Sequence, residues 1–316
     1  MDLIQRAAER LKRTGELHLV EQAAARLAST AEPLAPAEPP APTALAPPPQ
    51  APAPTPHAAP AVGGGTRRPG PYVTLDLGKL QVAGFVTPTG SRTRIAEEFR
   101  VIKRPILLRA FATGEERIES GNLIMVTSAK PGEGKTFTAI NLAMSMASER
   151  DLHVLLVDAD VQRPAVFQVL GLPPQRGLLD VLSDANLSPA DVLTRTNIRN
   201  LTLMAAGTPS LATTELLASQ KMIELMQDIA TRYQDRVIIL DAPPVLASSE
   251  PSVLALHVGQ IILVVESGKT GRRAIEQTLT FIGACPNINV VLNKAESGSG
   301  RDEFGGYGYG YYETNE

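Results

Sequence analysis

The sequence predicts a doubly wound α/β domain with a mostly parallel sheet, built around a phosphate-binding loop. Three observations lead there. Short apolar runs rich in Val, Ile and Leu alternate with helical runs between about residues 122 and 292. The first apolar run leads into the loop Ala129-Lys130-Pro131-Gly132-Glu133-Gly134-Lys135-Thr136, and a helix-forming run leads out of it. Two later strand ends carry aspartates, at the sheet edge where such folds bind their ligands.

Taken in order, residues 2–28 read as amphipathic helix, in one piece or two. Leu3, Ile4, Ala7 and Leu11 recur at helical spacing, as do Val20, Ala24 and Leu27, with Gly15 between the sets. Residues 31–71 hold 14 of the 26 prolines and a Gly63-Gly64-Gly65 run. Such a composition buries too little apolar surface to offset its ordering entropy and reads as a disordered linker. A helix is expected from Arg92 to Ala110, disturbed at Pro105. Strands are expected at 122–127, 153–158, 201–205, 236–241, 260–265 and 288–292, and helices at 137–149, 214–232, 249–257 and 271–283. Continuous apolar strands of this length suit a parallel sheet buried on both faces. Beyond Ser297-Gly298-Ser299-Gly300 the chain ends in a Gly/Tyr-rich tail that holds four of the six tyrosines in its last ten residues. The expected organisation is a helix at 1–30, a linker at 31–71, a nucleotide-binding domain at 72–298 and a tail at 299–316.

Composition narrows the function. A net charge of −3 implies no nucleic-acid or membrane field. One cysteine, Cys285, allows no internal disulfide and suits a reducing compartment. The first residues lack the apolar core of a secretory signal. No apolar run approaches the roughly 20 residues that span a bilayer, so membrane work is expected to fall to a partner. The four histidines show no ligand spacing.

The loop carries the strongest chemistry. Gly132 and Gly134 let backbone N–H groups turn inward around phosphate oxygens, and the following helix adds its N-terminal partial charge. Lys135 has the reach for the β- and γ-phosphates, and the Thr136 hydroxyl suits Mg²⁺. A nucleoside triphosphate is therefore expected. The strand ends Val157-Asp158-Ala159-Asp160 and Leu240-Asp241-Ala242-Pro243-Pro244 face the same crevice. Mg²⁺ prefers oxygen ligands, and Asp241 suits the carboxylate that steadies it, directly or through water. Asp158 and Asp160 suit metal positioning and proton abstraction from an attacking oxygen. The tail tyrosines Tyr307, Tyr309, Tyr311 and Tyr312 can neither pack their rings in a core nor bond their hydroxyls there, and they read as displayed for chemistry.

Together the Pro-Gly-Glu-Gly-Lys loop, the Asp-x-Asp element, the Asp-x-Pro-Pro element and the tyrosine tail resemble the bacterial tyrosine kinases of polysaccharide export, in the family's order. Glu97, Arg100 and Lys103 resemble that family's Glu-x-x-Arg-x-x-Arg oligomerisation helix, with lysine in the last position. Thr214-Glu215-Leu216-Leu217 resembles its Glu-Leu-Leu segment, and Gln162 stands where the family has arginine, with Arg163 next. The resemblance implies a P-loop NTPase fold of the ParA/MinD type and an ATP- and Mg²⁺-dependent tyrosine autokinase. Lys135, Asp158, Asp160 and Asp241 would be its catalytic set, with Thr136, Asp158 and Asp241 at the metal. Pro131, Gly132, Glu133, Gly134, Lys135, Thr136, Phe137 and Asn293 would hold the nucleotide, Asn293 at the adenine. The tail tyrosines would be phosphorylated in trans within a homo-oligomeric ring. The long linker and N-terminal helix resemble the stand-alone autokinases of exosortase-associated exopolysaccharide loci. That likeness implies a separate membrane chain-length-determinant (polysaccharide co-polymerase) activator, a tyrosine phosphatase, and a cytoplasmic protein recruited peripherally to the inner membrane. The rival expectation is a positioning ATPase of the ParA/MinD kind, in which a lysine such as Lys130 reaches a neighbouring subunit's nucleotide.

Overall fold

All six apolar runs expected as strands are strands, and their residues divide between two cores. The computed structural model describes residues 70–295 except 89, 91, 92, 211, 212, 233 and 234. The expected helix at 1–30, all but the end of the linker, and the tail with its four tyrosines lie outside the described residues. The elements begin with β1 (Tyr72–Val73), α1 (Leu77–Val82) and α2 (Arg94–Ala110), followed by β2 (Leu123–Ser128) and α3 (Lys135–Ala147). Next come β3 (His153–Asp158), α4 (Val166–Val169), α5 (Leu178–Ser183) and α6 (Pro189–Val192), then β4 (Thr194–Thr196) and β5 (Leu201–Met204). The remainder is α7 (Thr213–Leu217), α8 (Gln220–Arg232), β6 (Arg236–Asp241), α9 (Glu250–Leu254), β7 (Gln260–Glu266), α10 (Arg272–Ile282) and β8 (Ile288–Asn293).

The eight strands form one sheet in the order β1-β4-β5-β3-β6-β2-β7-β8, parallel throughout except for the β4–β5 pair. The fold is the P-loop NTPase fold of the ParA/MinD type. Period-two alternation sends Ile124, Val126, Val154 and Leu156 into one core, with Phe99 and Ile106 of α2 and the apolar face of α3. Leu123, Met125, Leu155 and Val157 enter the other, with α5 and α8.

Three differences from the sequence reading concern a helix boundary and short elements. The helix expected at 214–232 is two, because Ser219 caps the second, its hydroxyl accepting from the Met222 N–H at 3.3 Å. The short α4, α5 and α6 are under two turns long and show no periodicity to read. The polar β4, Thr-Arg-Thr, is a short strand between β1 and β5.

Sheet order places the site. β6 lies between β3 and β2, and Asp158 and Asp241 are register partners at the ends of β3 and β6. β2 ends next to them and runs into the phosphate loop.

Candidate active site

The loop is shaped by two glycines and held from outside. Gly132 and Gly134 have φ of 86° and 100°, in the left-handed region that other residues enter at a cost. A Cβ on Gly134 would lie 2.0 Å from Asn293 Nδ2. Asn293, at the end of β8, donates Nδ2 to the Glu133 carbonyl at 2.8 Å, and Lys294 donates Nζ to the Gly132 carbonyl at 2.7 Å. The Glu133 carboxylate is buried, accepting from the Lys130 N–H at 2.9 Å and from the Thr270 hydroxyl. Within α3 the N–H of Thr138 bonds the Gly134 carbonyl, so the N–H groups of Lys135, Thr136 and Phe137 precede the first intrahelical bond. Such a cradle fits phosphate oxygens.

Beside it, Lys135 Nζ sits 2.8 Å from Asp160 Oδ2 and 3.4 Å from Asp241 Oδ1. Thr136 donates its hydroxyl to Asp241 Oδ2 at 2.6 Å. Burial works against the charged form of Lys135, but Asp241 and Asp160 outweigh it and raise the lysine's pKa. Burial likewise pushes Asp241 up, against the pull of Lys135 and the Thr136 hydroxyl. Asp158 is pushed to about 7, first by burial and then by the neighbouring Asp241 charge. Its Oδ2 accepts from the N–H groups of Ala165 and Val166, both at 3.0 Å, while the buried Oδ1 has no hydrogen-bond partner among the described residues. A hydroxyl and a carboxylate side by side, with an unsatisfied carboxylate oxygen nearby, form an all-oxygen donor set of the kind Mg²⁺ takes.

The structure thus brings Lys135, Thr136, Asp158, Asp160 and Asp241 together. Asp160 lines a cavity of about 580 Å³ that also exposes Lys135, Arg163, Pro131 and Pro243. Asp158 and Asp241 are 1% and 0% exposed. Phe137 turns its ring away to pack on Phe85 and Phe99, with centroids at 5.0 and 6.5 Å, leaving its N–H for the cradle. On α2, Arg100 pairs with Glu97 at 2.7 Å on an exposed face. Lys103 differs from the sequence expectation of a contact residue. It is buried, donating Nζ to the Ser145 carbonyl at 2.7 Å and pairing with Glu149 at 2.6 Å, because a cation is favoured at the C-terminal end of α3. Sequence reasoning missed Glu250, a buried acid on the cavity wall; no motif spacing marks it.

A family described as an AAA domain matches residues 121–293. The chain is 30% identical to the tyrosine-protein kinase YwqD of Bacillus subtilis over 241 residues, 76% of this chain and 95% of YwqD. The chain belongs to the bacterial tyrosine-kinase family. This tyrosine-kinase chain is also 30% identical to the tyrosine-protein kinase ptk of Acinetobacter johnsonii, over 56% of its own length but only 24% of ptk. It thus spans nearly all of one relative and about a quarter of another. The kinase domain of VpsO is similar with a TM-score of 0.54 at 29% identity, covering 64% of this chain and 96% of that one. The kinase domain of the Escherichia coli tyrosine kinase ETK has the same fold, with a TM-score of 0.54 at 23% identity over 74% and 98% of the two chains.

Proposed function

We propose that the chain is an ATP-dependent protein-tyrosine autokinase that phosphorylates Tyr307, Tyr309, Tyr311 and Tyr312 of a neighbouring copy and regulates exopolysaccharide synthesis and export. The observation that carries this reading is one ammonium held between two carboxylates, Lys135 with Asp160 and Asp241, at the mouth of a cradle of backbone N–H groups. Phosphoryl transfer needs positioning and charge neutralisation more than covalent chemistry. The loop amides from Gly132 to Phe137 orient the phosphates, and Lys135 neutralises charge that builds on the transferred group. Thr136, Asp241 and the free oxygen of Asp158 would hold Mg²⁺, which when bound screens the phosphate charge from the incoming acceptor. A tyrosine hydroxyl has a pKa of about 10. Asp160, on the cavity wall, takes its proton as the phenolic oxygen bonds the γ-phosphorus and the bridging oxygen leaves with ADP.

The exposed Glu97–Arg100 face of α2 is the proposed oligomer contact, within a ring. No helix among the described residues is long and apolar enough to cross a membrane. Recruitment to the inner membrane is assigned to a separate co-polymerase activator, and reversal to a tyrosine phosphatase. The names of the relatives favour this reading over a positioning ATPase, which leaves the tyrosine tail without a role. The test is incubation with labelled ATP and Mg²⁺, followed by phosphopeptide mapping. Label on the tail tyrosines, abolished by Lys135→Met, is expected. Nucleotide hydrolysis with no phosphotyrosine anywhere in the chain would return the rival.

A further inference from the structure

Glu250 is 3% exposed and is not used in the phosphoryl-transfer chemistry above. It opens α9, where a negative charge suits the helix dipole. Its carboxylate nonetheless reaches two distant segments, through Gln162 and Thr214, as well as Ser248 two residues before it. Oε1 accepts from Thr214 Oγ1 at 3.1 Å and from Gln162 Nε2 at 3.2 Å, and Oε2 accepts from the Ser248 hydroxyl. All three donors are neutral. A buried polar acceptor satisfied by neutral donors is a costly way to join loops, because apolar side chains packed together do so without desolvating polar groups. Joining the loops therefore does not by itself account for a buried hydrogen-bond acceptor at this position.

The three donors belong to segments that build the site. Gln162 lies two residues past Asp160, Ser248 follows the Asp241-to-Pro244 strand end, and Thr214 lies in α7. All three, with Glu250, line the cavity that contains Lys135 and Asp160. The same cavity is lined by Pro131, Pro243 and Pro244, whose apolar C–H groups can pack against an aromatic ring. Its volume of about 580 Å³ lies within the range of pockets that enclose small ligands.

We propose that Glu250 is a positioning residue for the acceptor. By holding Gln162, Thr214 and Ser248 on one carboxylate it fixes a cavity wall against which the acceptor phenol and its flanking backbone rest, while Lys135 and Asp160 engage the reacting end. The inference rests on the kinase reading above.

The experiment measures, in the full chain, the KM for a synthetic acceptor peptide spanning residues 304–316, the kcat at saturating peptide, and the Kd for ATP with Mg²⁺. Glu250→Ala is expected to raise the peptide KM about tenfold with the ATP Kd unchanged. Glu250→Gln keeps an acceptor oxygen for Thr214 and Gln162, and is expected to restore most of the loss. Thr214→Val removes one exposed donor without disturbing the core; it is expected to raise the peptide KM about threefold and serves if Glu250→Ala does not fold. An unchanged peptide KM in Glu250→Ala, or in Thr214→Val if the first does not fold, overturns the inference while leaving the kinase reading intact. So does a parallel rise of peptide KM and ATP Kd that Glu250→Gln fails to rescue, which marks a merely structural role. Wild-type chain that phosphorylates neither peptide nor its own tail overturns the kinase reading itself.

Discussion

Asp158→Asn separates the burial of that carboxylate from its chemistry. The side chain keeps its shape, and the amide oxygen still accepts from Ala165 and Val166, so the start of α4 is preserved. The new amide nitrogen replaces the Oδ1 that has no partner among the described residues. In the wild type, burial and Asp241 raise the Asp158 pKa from 3.8 to about 7. A raised carboxylate pKa means that the native state binds more protons than the unfolded state between those values, so stability falls as pH rises through that window. At low pH both states are protonated and the contribution is intact; above about 7 it is lost in full. At 1.36 kcal/mol per pKa unit, the loss is on the order of 4 kcal/mol as a ceiling. The amide does not titrate, so the variant lacks this slope. Urea unfolding of the full chain without nucleotide, at intervals from pH 4.5 to 8, should show Asp158→Asn gaining on the wild type steadily with pH, while tail phosphorylation is lost. A constant difference across that range would refute the assignment of the buried charge to Asp158.

Lys135→Met should cut tail phosphorylation by at least about 10²-fold through lost charge stabilisation, read by mass spectrometry. The same change should destabilise the chain by about 3 kcal/mol near neutral pH, less in acid, because Asp160 and Asp241 are left buried without their cation. Gly134→Ala should weaken nucleotide binding more than tenfold by calorimetry, since its φ of 100° costs about 1 kcal/mol or more and its Cβ displaces Asn293. Lys103→Ala should lower stability by about 1–3 kcal/mol in denaturant melts, through loss of the Ser145 carbonyl bond and the Glu149 pair. Four phosphotyrosines add about −6 to −8 to a net charge of −3, so Tyr→Glu tails should sediment as smaller species than Tyr→Phe tails at equal concentration with Mg²⁺-nucleotide; equal sizes argue against an electrostatic switch.

The strands and the phosphate loop were legible because their signals are local. A run such as Val-Leu-Leu-Val needs only burial on both faces, and the loop needs only its own glycines and lysine. Asp158, Asp160 and Asp241 followed from sheet order, since parallel strands end on one edge. The inward turn of Lys103 was not legible, because it depends on where the end of α3 falls against α2. The commitment of Asp158 Oδ2 to two backbone N–H groups was hidden in a helix of four residues. Glu250 was invisible for a related reason: its partners are 36 and 88 residues away.

The hold of β8 on the phosphate loop ties two ends of the reaction together. Lys294, with a φ of 55°, and Asn293 are the residues that fasten the Gly132 and Glu133 carbonyls. Tyr307 follows only 13 residues after Lys294. At about 3.5 Å per residue, the first proposed acceptor is tethered no more than roughly 45 Å from the latch of its own cradle. On the proposed transfer between copies, a tail drawn toward a neighbour would pull on the same two residues that shape the phosphate loop. Giving up an acceptor and gripping a nucleotide would then both load the end of β8.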